Sequence, residues 1–221
     1  MKKGIIIYGS GEFAKLVAFY LSTDSHYKVE AFTVDKKYTN TTKTPNIIPF
    51  EDIDSIFPPQ NYDMLIAIGY KCMRNREKMF NRARNKGYKL INFISSKALY
   101  YNDLVIGDNN IILPATHIEP NVVIGDNNIF WSDTLLCHGL QLGNHNYIAP
   151  KVVLGANSTI GDLCFFGTRS TMIDQLNIED ETFLVAGSTL FIDTENCYRY
   201  SGNPARKLEK NHIKQGICIN R

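Results

Sequence analysis

From Ile106 onward an apolar residue stands at every sixth position: Ile106, Ile112, Ile118, Ile124, Phe130, Leu136, Leu142, Ile148, Leu154, Ile160, Phe166, Met172, Ile178, Leu184 and Leu190. With 44% of the chain apolar, so long an unbroken series would arise by chance roughly once in 10⁵. The next residue is often glycine, as at Gly107, Gly125, Gly143, Gly155, Gly161 and Gly167. Four places after the apolar residue the chain is mostly small or β-branched, as at Thr116, Val122, Thr134, Val152, Ser158, Ser170, Thr182 and Ser188. A six-residue unit is one short strand and one turn, and three units close a triangular coil of about 18 residues. The series therefore predicts a left-handed parallel β-helix of about five coils over residues 104–192, with the apolar column lining the prism. The glycines fall where the chain turns a corner and a Cβ would crowd. An ordinary β-sandwich has a period of two and gives no reason for a period of six.

Before the repeat the pattern alternates strand and helix. Gly4–Tyr8 is a short β-rich run that ends in the turn Gly9-Ser10-Gly11. Glu12–Leu21 carries apolar residues at helical spacing. Val29–Val34, closed by Asp35, predicts a second strand, Met64–Ile68 a third and Tyr88–Phe93 a fourth. The basic stretch Lys71–Lys86 predicts a helix ended by Gly87. Loops are expected at Lys36–Asn46 and Phe57–Asn61. This is the pattern of a parallel α/β sheet, half-Rossmann-like and too short for a six-stranded dinucleotide fold. The domains expected are 1–95 and 96–221.

Charge and cysteine content narrow the classes. A net charge of +2 gives no electrostatic footprint for nucleic acid. The apolar run near the N-terminus is too short for a signal peptide or a membrane span. Five cysteines, Cys72, Cys137, Cys164, Cys197 and Cys218, without CxxC spacing predict reduced thiols, a cytoplasmic setting and no metal site.

Gly9-Ser10-Gly11-Glu12-Phe13-Ala14 fits GxGxxA between a strand and a helix, where free N–H groups attract a phosphate. Asp35 ends the next strand, where an acid can bind a ribose hydroxyl, and Gly69 lies at the same sheet edge. Alone, these features fit NAD as well as a nucleotide sugar.

The stretches IIIYGSGEFAKLV, LVIGDNNIILPATHIEPNVVIGDNN, LLCHGLQLGNHNYIAPKVVLGANSTIGD and SGNPARKLEK together resemble the hexapeptide-repeat acyltransferases. The likeness is to the branch of nucleotide-amino-sugar N-acetyltransferases and sialic acid O-acetyltransferases. It implies a homotrimer with acetyl-CoA between neighbouring β-helices and a nucleotide-linked sugar held by the N-terminal domain. By the same resemblance His138 is the general base that takes the amine proton. Tyr147 stands where the family has a histidine near the thioester. The Ala156 amide would face the oxyanion, and Thr168 and Ala186 would line the pantetheine arm. Arg206 and Lys207, after GNPA, would meet coenzyme phosphates. The family often has an acid after its base, whereas this chain has Gly139, leaving Asn121, Asp133, a backbone carbonyl or a residue of the adjacent subunit to orient the imidazole. His145 lies in another hexad phase and is not expected to act. A sugar O-acetyltransferase and a catalytically inactive sugar-nucleotide-binding trimer are the alternatives. A carbonic anhydrase on the same prism needs three zinc histidines, and His117, His138 and His145 lack that spacing.

Overall fold

A computed structural model describes residues 3–41, 47–212 and 214–219. Contacts divide the chain into two compact units, Met1–Gly69 with Arg76–Phe93 and Tyr70–Asn75 with Ile94–Arg221.

The first unit is a parallel sheet ordered β3-β2-β1-β4, with β1 at Lys3–Tyr8, β2 at Tyr27–Val34, β3 at Ile47–Pro49 and β4 at Asp63–Ile66. Helix α1 spans Glu12–Thr23, α2 is the single turn Ile53–Ile56 and α3 spans Met73–Asn85. The three apolar residues Ile5, Ile6 and Ile7 are fully buried because β1 is covered on both faces. Gly9 has φ +136°, and a Cβ there would come within 2.6 Å of the Ala67 carbonyl oxygen. Gly87 closes α3 with φ +86°, and its N–H donates to the Arg84 carbonyl at 2.8 Å. Strand β3 was not expected. The sequence reading places a strand over Tyr88–Phe93, but there the sheet gains only a parallel bridge between Leu90 and Met64. That run is nonetheless buried at Tyr88, Leu90, Ile91 and Phe93. Its apolar character reflects burial more than ladder pairing. The expected loop Lys36–Asn46 starts as a 3₁₀ turn over Lys36–Thr41, and 42–46 lie outside the described residues.

The second unit is the expected prism. Two-residue strands stack into three parallel faces. The first face runs from Val105–Ile106 to Asn177–Ile178, the second from Ile111–Ile112 to Phe183–Leu184, and the third from His117–Ile118 to Thr189–Leu190. The second face continues into an antiparallel hairpin, Tyr198–Gly202 and Ala205–Lys210. From Ile112 to Leu190 every member of the apolar column is buried. Ile106, in the first coil, is only partly covered.

In each hexad from Ile106 to Leu184 the residue three places after the column is left-handed, from Asn109 at φ 59° to Gly187 at φ 72°. Most of these residues are not glycine. Their amides are satisfied along the prism, as where the His145 N–H donates to the Asp126 carbonyl at 2.8 Å. The glycines one place after the column serve close approach. A Cβ on Gly125 would meet the Gly143 carbonyl oxygen at 2.8 Å.

Inside one corner runs an asparagine ladder. The Asn128 amide N–H donates to Asn110 Oδ1 at 2.9 Å and the Asn146 N–H to Asn128 Oδ1 at 2.8 Å. Asn128 Nδ2 donates to the Gly143 carbonyl at 3.0 Å. Each carboxamide thus satisfies buried backbone groups that no water reaches. Replacing Asn128 by Ala should cost about 2–3 kcal/mol, because it strands a buried N–H and a buried carbonyl. Urea unfolding of the variant against wild type measures this.

Candidate functional site

The corners of the prism differ in how they treat the amide two places after the apolar column. At the corner between the first and second faces it is capped by a side chain of the next coil. The Asp126 N–H donates to Asn144 Oδ1 at 2.7 Å, and the Asn144 N–H to Asp162 Oδ1 at 2.6 Å. At the corner between the second and third faces the equivalent positions are Pro114, Ser132, Pro150, Thr168 and Ala186. Among the described residues no acceptor takes the Thr168 or Ala186 N–H.

Both residues line a cleft of about 430 Å³ along the second face. Its walls include Tyr70, Trp131, Tyr147, Phe165, Phe183 and Arg199. Tyr147 and Phe165 stand on successive rungs with rings nearly parallel, 4° apart and 5.2 Å between centroids. Tyr70 meets Tyr147 edge-on at 5.3 Å, and the Arg199 guanidinium lies 4.6 Å over the Phe183 ring. Three residues expected on the acyl-donor path, Tyr147, Thr168 and Ala186, are therefore together. The outward column that builds this wall, Tyr147, Phe165 and Phe183, was not read as a column from the sequence. It was readable there, because the matching outward positions on the first face are polar: Gln141, Thr159 and Asn177.

His138 stands at the corner between the third and first faces, with 59% of its side chain exposed. Its Nδ1 lies 3.2 Å from Glu119 Oε2, and the same oxygen accepts the His138 backbone N–H at 2.8 Å. The imidazole is thus oriented by Glu119, and neither Asn121 nor Asp133 is its partner. The reason is the stack. Glu119 belongs to the preceding coil, directly before Cys137 in its column. Position 139 carries no side chain; Gly139 has φ +70°, and a Cβ there would meet the end of the Asn157 carboxamide. A second difference concerns Ala156, whose N–H donates to Asp174 Oδ1 at 2.8 Å and is already engaged.

His145 is 8% exposed and its Nδ1 lies 2.9 Å from Asn127 Nδ2, in a buried ladder that continues to Asn109. It is a rung of the prism. Arg206 and Lys207 sit on the hairpin and do not line the cleft; Lys207 Nζ donates to Glu195 Oε1 at 2.6 Å.

In the first unit, Gly11 caps α1 with ordinary extended backbone, φ −80° and ψ 179°. A Cβ at Gly11 would meet nothing within 4 Å, so the space before the helix is open. Ser10 and Glu12 flank it, and Gly69 lies near Phe13 Cβ at 3.9 Å from its own ideal Cβ. Asp35 is held: its Oδ1 accepts from the Tyr8 hydroxyl at 2.9 Å and from Arg82 Nη1 at 2.6 Å. Burial and the Asp35 carboxylate push the Tyr8 phenol up. Asp35 thus serves a structural ion pair, whatever it also binds. Among the described residues no helix is long and apolar enough to cross a membrane.

The chain thus combines a left-handed parallel β-helix with a four-stranded parallel α/β unit. Two family models match, the bacterial transferase hexapeptide (six repeats) over residues 103–138 and the PglD N-terminal domain over residues 4–83. The second match spans the sheet of the first unit, and the first match spans the opening coils of the prism. Solved structures share the fold. The acetyltransferase domain of PglB from Neisseria gonorrhoeae FA1090 superposes with TM-score 0.82 at 21% identity, covering 93% of this chain and 100% of that one. PerB from Caulobacter crescentus, determined with CoA and GDP-perosamine, gives TM-score 0.76 at 22% identity over 95% of this chain and 99% of that one. WeeI from Acinetobacter baumannii AYE gives 0.73 at 21%, over 92% and 99%.

The two histidines should separate in stability. His145→Ala removes a buried hydrogen-bonding rung and should cost about 1–3 kcal/mol. His138→Ala, at an exposed corner, should stay within about 0.5 kcal/mol of wild type. Thermal and urea unfolding of both variants measure the contrast.

Proposed function

We propose that this protein is an acetyl-CoA-dependent N-acetyltransferase acting on a nucleotide-linked amino deoxysugar, in a homotrimer. The observation that carries the reading is the pairing of features on the prism. One corner holds His138 with a carboxylate on its Nδ1, and another holds an aromatic cleft with two uncapped amides. They lie at opposite ends of the third face, on the order of 15–20 Å apart for a six-residue side. One subunit cannot bring them together, but threefold packing sets the corner of one copy against the cleft of the next.

In this reading Glu119 holds the imidazole with Nε2 directed outward. His138 takes the proton of the acceptor amine as its nitrogen bonds to the thioester carbon. The bond to sulfur then breaks and the proton passes to the leaving thiolate. The Thr168 and Ala186 N–H groups donate to the carbonyl oxygens of an extended pantetheine arm, as an added strand would accept them. The open helix start at Gly11 receives the phosphates of the nucleotide sugar. PerB, whose structure holds CoA with GDP-perosamine, supports this pairing of ligand classes.

The test is thiol release from acetyl-CoA with a panel of nucleotide amino sugars. His138→Ala should lower kcat by roughly 10²–10⁴, the usual share of a general base, with KM values little changed. Glu119→Gln should cost on the order of 10- to 100-fold, the scale of a partner that orients a histidine. If hydroxyl sugars support release and amino sugars do not, the protein is an O-acetyltransferase.

The nucleotide end has its own test. Gly11→Val should leave the melting temperature unchanged, because its side chain enters open space, and should raise KM for the nucleotide sugar severalfold while KM for acetyl-CoA holds. Equal sugar-nucleotide affinity in calorimetry would place the phosphate site elsewhere.

A further inference from the structure

Cys72 and Cys218 face each other across an antiparallel bridge within the second unit. Two hydrogen bonds fix the register: the Met73 N–H donates to the Ile217 carbonyl at 3.0 Å, and the Ile219 N–H to the Lys71 carbonyl at 3.0 Å. Both bonds flank the cysteines, so these are a non-hydrogen-bonded pair, the narrow kind with Cα atoms about 4.5 Å apart. That spacing falls inside the range of about 4.4–6.8 Å that a disulfide spans. Opposite residues of such a pair project to the same side of the ribbon. Both sulfurs do so here, Cys72 Sγ at 3.6 Å and Cys218 Sγ at 3.4 Å from the Gln215 carbonyl oxygen. Each residue is half-buried, and the pair opens onto a depression lined by Lys71, Arg74 and Lys214. Cations of that kind favour thiolate chemistry.

We infer that Cys72 and Cys218 form a reversible disulfide that clasps one wall of the aromatic cleft. Tyr70 and Ile219 line the cleft, and each lies within two residues of a pair member. The closed bond would lock the segment 70–75 to the segment 217–219. In a glutathione buffer the Cys72 thiolate attacks a sulfur of glutathione disulfide and expels one glutathione thiolate, which takes up a proton. The Cys218 thiol then loses its proton and attacks the mixed disulfide at the Cys72 sulfur, expelling the second glutathione. Two protein thiols are oxidised and one glutathione disulfide is reduced to two thiols. Burial and the hydrogen bond with Cys72 push the Cys218 thiol up to about 11, and the same exchange balances with the two cysteines in either order. The other cysteines offer no such partner in space. Cys164 is fully buried beneath the prism wall, and Cys197 lies against Glu181 Oε2 at 3.1 Å. The inference stands apart from the proposed function, since it concerns thiol geometry alone.

The experiment equilibrates the full chain in glutathione buffers of graded potential, blocks free thiols by alkylation and maps peptides without reduction. The expected product is one peptide pair joined through Cys72 and Cys218, lighter by two hydrogens and released by dithiothreitol. Cys72→Ser and Cys218→Ser should each abolish the cross-link and leave the remaining thiol as a glutathione adduct, with melting temperatures near that of the reduced wild type. Full alkylation of both cysteines of the folded wild type in the most oxidising buffer would overturn the inference. So would a cross-link that survives in the Cys72→Ser protein or that joins Cys197 or Cys137 instead.

Discussion

A coil of the prism points its backbone N–H and C=O groups along the axis, so only another coil in the same register can satisfy them. Everything else in the second unit follows from that demand. The register puts equivalent residues directly above one another, as where Ile129 pairs with Ile111 and Tyr147. A residue type chosen once is therefore repeated as a column. Apolar columns become a core, as from Ile112 to Leu190. Asparagine columns become ladders that satisfy buried amides, as from Asn110 to Asn146. The left-handed residues at the turns each carry a conformational cost of roughly 1 kcal/mol, offset by the hydrogen bonds that stacking guarantees.

The same stacking makes a site by exception. Where a corner column is Asp or Asn, each outer amide is capped from the next coil and the corner is closed. Where the column is Pro, Ser, Thr and Ala, no side chain among the described residues caps the Thr168 and Ala186 amides, which stand beside an aromatic wall. His138 is a second exception. Its amide is capped, but by a glutamate one place out of column, which leaves the same carboxylate beside the ring. A single acid thus satisfies the backbone and orients the imidazole. The proposed chemistry uses these two exceptions, and the regular columns hold them apart by a fixed length.

The prism was legible because its signal is periodic and its burial is one-sided; the phase alone also separated His138 from the buried rung His145. The α/β unit was legible at β1, α1 and β2, where apolar runs are bounded by turn formers. It was less so at Tyr88–Phe93, since burial with a single bridge to the sheet leaves the same apolar trace as a full strand. Glu119 was not legible as the partner of His138 because it stands neither at position 139 nor in column with it. Its contact depends on side-chain reach across one coil, which spacing does not report. The engagement of the Ala156 amide by Asp174 was hidden for the same reason. The Cys72–Cys218 pair joins residues far apart in the sequence, and only the bridge between their segments reveals it.

The central claim is that a working site combines the His138 corner of one subunit with the cleft of its neighbour. Intersubunit complementation tests it most directly. His138→Ala lacks the base but keeps the cleft; Ala186→Trp fills the cleft but keeps the base. Each variant alone should be nearly inactive in thiol release from acetyl-CoA with an accepted nucleotide amino sugar. Unfolded and reassembled together in equal amounts, random trimers should carry about one quarter of their sites with an intact corner facing an intact cleft. Recovery of roughly a quarter of wild-type turnover is the predicted result. No recovery, in mixtures shown by mass spectrometry to contain heterotrimers, would contradict a shared site.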